Sequence, residues 1–370
     1  MTEPAAAPAP RVTTLELFFD LVFVFTVTQL AAVLAEDLSW PGLGKVALML
    51  AIIFYMYGGY AWLTNALDME RPRNRAFLLG GMCGYFVIAL AVPGAYDGSG
   101  LTFGIGYVAV VLVHLWLFAH VAGGGARAIR SLAPSNLLGA ALVLAGGALG
   151  GDAQVALWIA GAAVSWIVPR LTVDLSSFDV AAGHFVERHG LVVIVAIGES
   201  VIAIGIGAAE RAVDAELVLV AVVGLLLSAG LWWTYFGGDE RAEAALAGMA
   251  PARRGRAALE GFGYAHLALL LAVVCVAVGL KKATGHAYDV LEGDQALVLA
   301  GGVALFLAAD VAFRRVLAIG TGPARAVGAV LAPATIPLGT EVAAIAQLAV
   351  LAVVVALASV AGREAQAAMS

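Results

Sequence analysis

The sequence predicts an all-α, polytopic integral membrane protein of about 12 transmembrane helices, and three observations carry that prediction. Hydrophobic residues make up 62% of the 370-residue chain and charged residues only 12%, whereas a soluble globular chain carries about 25% charged residues. Apolar runs long enough to cross a bilayer recur along the whole chain, separated by short breaks of charge, Pro and Gly. The basic residues also fall into alternate breaks, as the positive-inside rule requires of a threaded chain.

A span needs about 20 mostly apolar residues. Taken in order, spans are predicted at 15–34, 44–66, 76–92, 102–122, 132–149 and 153–169, then at 189–208, 215–236, 258–280, 294–313, 323–338 and 341–361. The fifth is rich in Gly. The division between the last two rests on "PATIPLGTE", where Pro333 and Pro337 interrupt the helical pattern. Counting Lys and Arg on alternate sides gives sixteen on the side of the N-terminus and four on the other, namely Lys45, Arg211, Lys281 and Lys282. That bias puts both termini in the cytoplasm, with tails at 1–14 and 363–370. Three Lys against seventeen Arg, with abundant Ala and Gly, suit a GC-rich bacterial gene and therefore a bacterial inner membrane.

The same composition excludes several classes. Cys83 and Cys275 lie inside apolar runs, which rules out a disulfide framework or a thiolate metal site. No basic arm interleaved with aromatics is present, so no nucleic-acid partner is expected. In "HFVERHG", His184 and Glu187 share a face while His189 points away. With no fourth ligand, no metal is expected there, and His184 and Glu187 stay as candidates for a cytoplasmic-side site. No nucleophile with an oriented base can be named, so the chain reads as a non-enzyme without a cofactor. The expected partners are the lipid bilayer and a small ion or solute, with homo-oligomerisation open.

Twelve helices invite a search for two parallel six-helix repeats, here 15–180 and 181–362. Superposing Asp20 on Glu199 lays "FFDLVFVF" over "IGESVIAI" and "GYFVIAL" over "GYAHLAL". Helices two and eight end alike, in "YAWLTNALD" and "LWWTYFGGD", at a slightly different offset.

Acids inside spans are costly and mark function or pairing. Glu16 and Asp20 stand four residues apart, one above the other on a single helical face. Asp20 and Glu199 are flanked by apolar residues for a turn in each direction and are the leading ion- or proton-binding candidates. Glu16, Ser200 and His114 accompany them, and Arg170, after Pro169, is the expected cationic partner. Plainer readings stand beside these. Glu16 is close enough to the interface to be solvated, and His114 suits a satisfied helix–helix hydrogen bond. Asp310, four residues before Arg314, suits a local ion pair. Asp68 marks a helix end. Gly80/Gly84, Gly147/Gly151 and Gly205/Gly207 suit close helix packing.

The stretches "TTLELFFDLVFVFTVTQLA" and "HFVERHGLVVIVAIGESVIAIG", with "LWWTYF" at 231–236, resemble the signature segments of the bacterial low temperature requirement A family. The resemblance covers essentially the whole chain and implies a polytopic membrane protein without a settled activity. It places Glu16, Asp20, His184, Glu187, Arg188, Glu199 and Ser200 inside shared motifs. The expected function is a secondary transporter or ion channel using Asp20 and Glu199 for cation or proton binding. The alternative is a non-transporting scaffold or sensor in which those acids form structural ion pairs.

Overall fold

In the computed structural model, residues 12–67, 71–120, 125–173, 180–209, 211–320 and 322–367 are described. The first eleven residues of the expected N-terminal tail, the last three of the C-terminal tail and Asp68 lie outside them. Six helices form the first half: α1 Thr14–Glu36, α2 Trp40–Ala66, α3 Pro72–Ala91, α4 Gly100–Ala119, α5 Gly125–Leu149 and α6 Gly151–Thr172. The second half begins with α7 Ala182–Ala208 and α8 Ala215–Phe236. Two short helices, α9 Asp239–Gly248 and α10 Pro251–Ala257, lead through a π-helical stretch, Ala258–Ala265, into α11 His266–Gly285. The chain ends in α12 Gly293–Leu317, α13 Pro323–Leu331 and α14 Ala344–Ala367.

Local chemistry sets these boundaries. Ser39 and Asp214 cap α2 and α8 by accepting hydrogen bonds from the amides of Gly42 and Leu217, which satisfies donors that a helix start leaves open. The corner between α5 and α6 needs positive φ at Gly150 (69°) and Gly151 (56°), a region glycine enters without steric cost.

Among the described residues, eleven helices are long and apolar enough to cross a membrane. This agrees with the expected count of about 12, and the expected span at 323–338 is irregular. After α13 the chain passes through a 3-10 turn at Pro333–Thr335 and a π turn at Leu338–Val342. Pro333 and Pro337 lack the N–H that an α-helical ladder requires, so this segment is helical in outline but broken. A correction concerns α7, expected to start at 189. It starts at Ala182 and runs for 27 residues, which draws "HFVERHG" into the bundle.

Polarity is inverted relative to a soluble fold. Leu21, Leu226, Val353 and Leu357 are exposed, whereas Asp20, Arg188, Glu199, Asp310 and Arg314 are buried. In an aqueous protein so continuous an exposed apolar surface would drive association; against lipid it is the stable arrangement. Within the first half, α1 packs on α2 and α3, α3 on α4, α4 on α5, α5 on α6, and α2 on α4 and α6. Substituting α7, α8, α11, α12, α13 and α14 for α1–α6 gives neighbour pairs that all occur in the second half. The halves meet where α1 and α2 pack on α7 and α11.

Of the six glycines named for close packing, three are used. A Cβ on Gly84 would lie 2.7 Å from a methyl of Val110 and 3.2 Å from the carbonyl of Gly106. One on Gly147 would run into the Gly100 carbonyl, and one on Gly207 would stand 2.6 Å from the Lys281 carbonyl. Gly205 has nothing within 4 Å of that position. Gly84→Val and Gly147→Val are therefore expected to lower the thermal midpoint in detergent, by about 1–3 kcal/mol of overpacking. Gly205→Ala, measured alongside, should leave it unchanged.

Candidate functional site

The densest polar arrangement is built across the seam between α1 and α7. Thr13 and Glu16 close a capping box at the start of α1. The Thr13 hydroxyl accepts from the Glu16 amide, and Glu16 Oε2 accepts from the Thr13 amide at 2.8 Å and its hydroxyl at 2.9 Å. The box orients the Glu16 carboxylate, which satisfies orphan donors at the helix start and presents Oε1 to α7. There it stands 3.1 Å from His184 Nε2 and 3.1 Å from Arg188 Nη1. One turn further along both helices, Asp20 Oδ1 lies 3.1 Å from Arg188 Nη2 and accepts from the Tyr57 hydroxyl at 3.0 Å. The Arg188 guanidinium also faces the rings of Phe19 and Tyr57, 5.4 and 5.9 Å from their centroids.

Glu16 and Asp20 are each 1% exposed and Arg188 is fully buried. Two carboxylates thus face one permanent cation, with the His184 imidazole beside Glu16. Removing either partner of such a pair strands a charge in an apolar interior, at a cost of about 3–5 kcal/mol. The solvated reading of Glu16 does not hold, because α7 covers it.

Arg170 does not fill the role expected of it. It sits at the surface end of α6 with its side chain 46% exposed and pairs with Glu260 instead. Arg188 takes its place because α7 starts two turns earlier than the apolar run suggests. His184 and Glu187 are separated. His184 is turned inward to Glu16, whereas Glu187 is exposed and accepts the Val12 amide at 3.4 Å.

Glu199 does not share a level with Asp20. Glu16 lies beside His184, Asp20 beside Arg188, and Thr28 beside Glu199, so α1 and α7 run parallel. Eleven residues separate Arg188 from Glu199, or about 16 Å of helical rise. The superposition of Asp20 on Glu199 is corrected accordingly, and Glu199 lies past the midpoint of α7. Glu199 is 2% exposed, and its Oε2 accepts a hydrogen bond from the Thr28 hydroxyl. Among the described residues no cationic side chain pairs with it.

The remaining candidates stand apart. Ser200 is buried with its Oγ unpartnered among the described residues. His114, 2% exposed, packs between Tyr60 and Phe118 and faces Gly59. Its ring edge meets the Gly59 backbone of α2, a helix–helix contact of the kind expected there. Asp310 does pair with Arg314 at 2.8 Å, and Arg325 of α13 joins them at 2.9 Å. Arg314 also donates to the Thr234 carbonyl at 2.8 Å, tying α12 to α8.

Thr13, Thr28, Tyr57 and the pairing role of Arg188 escaped the sequence reading, and two of the four left a signal. Thr13 and Glu16 have the spacing of a capping box. His184 and Arg188 repeat, with opposite charge, the four-residue spacing of Glu16 and Asp20. Arg188→Met is expected to lower stability most, by roughly 3–5 kcal/mol or loss of folded protein. Arg170→Gln should cost at most about 1 kcal/mol, as exposed pairs do. Thermal unfolding of the purified variants in detergent compares the two directly.

The chain matches the sequence profile of the bacterial low temperature requirement A protein over residues 11–360. It is also 28% identical over 313 residues to an uncharacterized protein of Rhizobium meliloti (strain 1021), covering 81% of this chain and 76% of the relative. The profile spans both signature helices and the whole α1–α7 seam between them. The chain belongs to the bacterial low temperature requirement A family.

Proposed function

We propose that this multi-pass membrane protein is a secondary transporter or ion channel in which Glu199 binds a proton or a small cation. The reading rests on one observation. A carboxylate past the middle of a membrane-spanning helix, 2% exposed, has a single hydroxyl, that of Thr28, as its partner and no cation to neutralise it among the described residues. An intramembrane acid is retained at a cost of a few kcal/mol. A fixed partner offsets that cost at Asp20; at Glu199 a mobile proton or cation does so. The Thr28 hydroxyl orients the carboxylate and leaves Oε1 for the incoming charge.

The two-repeat architecture, 15–180 and 181–362, is part of this proposal. The repeated neighbour pattern of the helices supports it, and an even number of passes per repeat makes the units parallel. The Glu199–Thr28 contact then lies on the seam between the units, where carriers of this construction hold their substrates. The bias of basic residues supports cytoplasmic termini and a bacterial inner membrane. On this orientation the Glu16–His184–Arg188–Asp20 network seals the cytoplasmic end of the seam.

Asp20 is assigned differently from Glu199. Its contacts with Arg188 and Tyr57 favour the scaffold reading for that residue, as a fixed strut and not an exchangeable site. Flux into proteoliposomes, followed with an internal pH dye under imposed proton, Na⁺ and K⁺ gradients, tests the proposal. Glu199→Gln is expected to cut flux at least tenfold while the thermal midpoint holds. Thr28→Val should raise the half-saturating ion concentration several-fold. Wild-type flux in Glu199→Gln, or no flux from the wild type under any of the gradients, overturns the reading.

A further inference from the structure

A metal cation that leaves water needs oxygen ligands in place of its hydration shell, about six for a hard ion. Inside membranes these come largely from carbonyls that unwound helices leave free. Around Glu199 the helices are not unwound. α1 runs unbroken from Thr14 to Glu36 and α7 from Ala182 to Ala208, so the carbonyls beside Thr28 and Glu199 are committed to their own ladders. The irregular turns of the chain lie elsewhere. The π-helical stretch Ala258–Ala265 packs on α2, α10, α11 and α12, and the broken segment at 333–342 on α12, α13 and α14. The 3-10 turn at Val92–Gly94 does pack on α1, but the Val92 and Gly94 carbonyls accept from the amides of Ala95, Asp97 and Ser99.

Side chains add one oxygen to those of the carboxylate itself. α11 runs beside α7 from the His189–His266 ring contact to Gly207, which closes on the Lys281 carbonyl. Between those contacts, residues 267–280 of α11 carry no side-chain oxygen. Ser200 stands two turns before Gly207, on the face of α7 turned to α11. On α8 the Ser228 hydroxyl is spent on the Gly224 carbonyl at 3.1 Å. Thr26 and Gln29 lie one turn beyond Phe23 and Phe25, on the faces of α1 that meet α2 and α3. What remains for Glu199 is the Thr28 hydroxyl on one flank and apolar side chains on the other. Of these Ile202, three residues on, is 50% exposed and opens that flank toward lipid.

We infer that the charge Glu199 exchanges is a proton and not a metal cation, an assignment that rests on the reading of Glu199 as an exchangeable site. One proton on Oε1 neutralises the carboxylate without a further ligand, while the Thr28 hydroxyl donates to Oε2. Na⁺ or K⁺ in the same place would give up its water to walls that offer too few oxygens in exchange. The lipid-side flank also makes the acid form of Glu199 reachable by an uncharged, lipid-soluble carboxyl reagent.

Dicyclohexylcarbodiimide applied to the full-length protein in liposomes tests the assignment. The carboxyl proton passes to one carbodiimide nitrogen, the carboxylate oxygen bonds to the central carbon, and the acyl group then shifts to nitrogen as an N-acylurea, with nothing lost. Peptide mass spectrometry is expected to find this adduct on Glu199 and to find it missing in Glu199→Gln. Its rate should change less than twofold when choline chloride is replaced by NaCl or KCl at equal ionic strength. Proteoliposomes with choline as the sole added cation should carry a proton flux that neither Na⁺ nor K⁺ raises. Fivefold or greater protection of Glu199 by NaCl or KCl, or a flux that needs either ion and is lost in Glu199→Gln, overturns the proton assignment while leaving Glu199 an exchangeable site. Absence of the adduct from wild-type Glu199 overturns the assignment as well. Wild-type flux in Glu199→Gln overturns the reading beneath it instead.

Discussion

Arg188 is the constraint around which the two halves are assembled. A guanidinium cannot be deprotonated to escape an apolar interior, so once α7 carries it inward the surroundings must supply negative charge. Glu16 and Asp20 do so from adjacent turns of α1, and Tyr57 of α2 occupies the same Asp20 oxygen. Sliding α1 against α7 by one turn would leave a carboxylate opposite apolar side chains, whereas an apolar interface alone tolerates such slips. The charge ladder therefore specifies register more than it adds net stability, which is the role buried ion pairs fill best. Asp310 does comparable work in the second half, holding α12 to α13 through Arg325.

Most of the architecture was legible because lipid imposes a simple rule. Every backbone polar group must be satisfied within its own segment, so hydrophobic length alone locates the spans. Reading failed where length and composition stop being informative. Pro333 and Pro337 announced a break, but the shift through 3-10 and π turns depends on neighbours that no local pattern encodes. The start of α7 was missed because His184, Glu187 and Arg188 look like a loop when counted as charges. They become a helix only when the acids of α1 are there to receive two of them.

The candidate site was legible in its residues and not in its pairings. Asp20 and Glu199 were recognisable from their apolar flanks, Glu16 from its four-residue spacing to Asp20, and the local pair Asp310–Arg314 likewise from its spacing. Partners distant in sequence were another matter. Arg170 and Arg188 both lie near the junction of the halves in sequence, and only tertiary packing separates a surface arginine from a buried one. A complementary spacing, acids four apart on one helix and a histidine and an arginine four apart on another, discriminates better than proximity in the chain.

Once the pairings are known, the buried polar groups divide by whether the fold itself satisfies them. Glu16, Asp20, Arg188, Asp310 and Arg314 have their counter-charges inside the protein, so part of their desolvation is offset when the chain folds. Glu199 lacks that compensation among the described residues, being a carboxylate whose partner is a hydroxyl and not a cation, and buried His114 has no counter-charge there, only the Gly59 backbone beside its ring. Both are held in place by well-packed helices whose stability comes from elsewhere, chiefly the seam and the close glycine contacts. A protein can keep such unsatisfied groups only if other contacts carry the fold, and the ion-pair ladder at one end of α7 is what permits a lone acid further along the same helix.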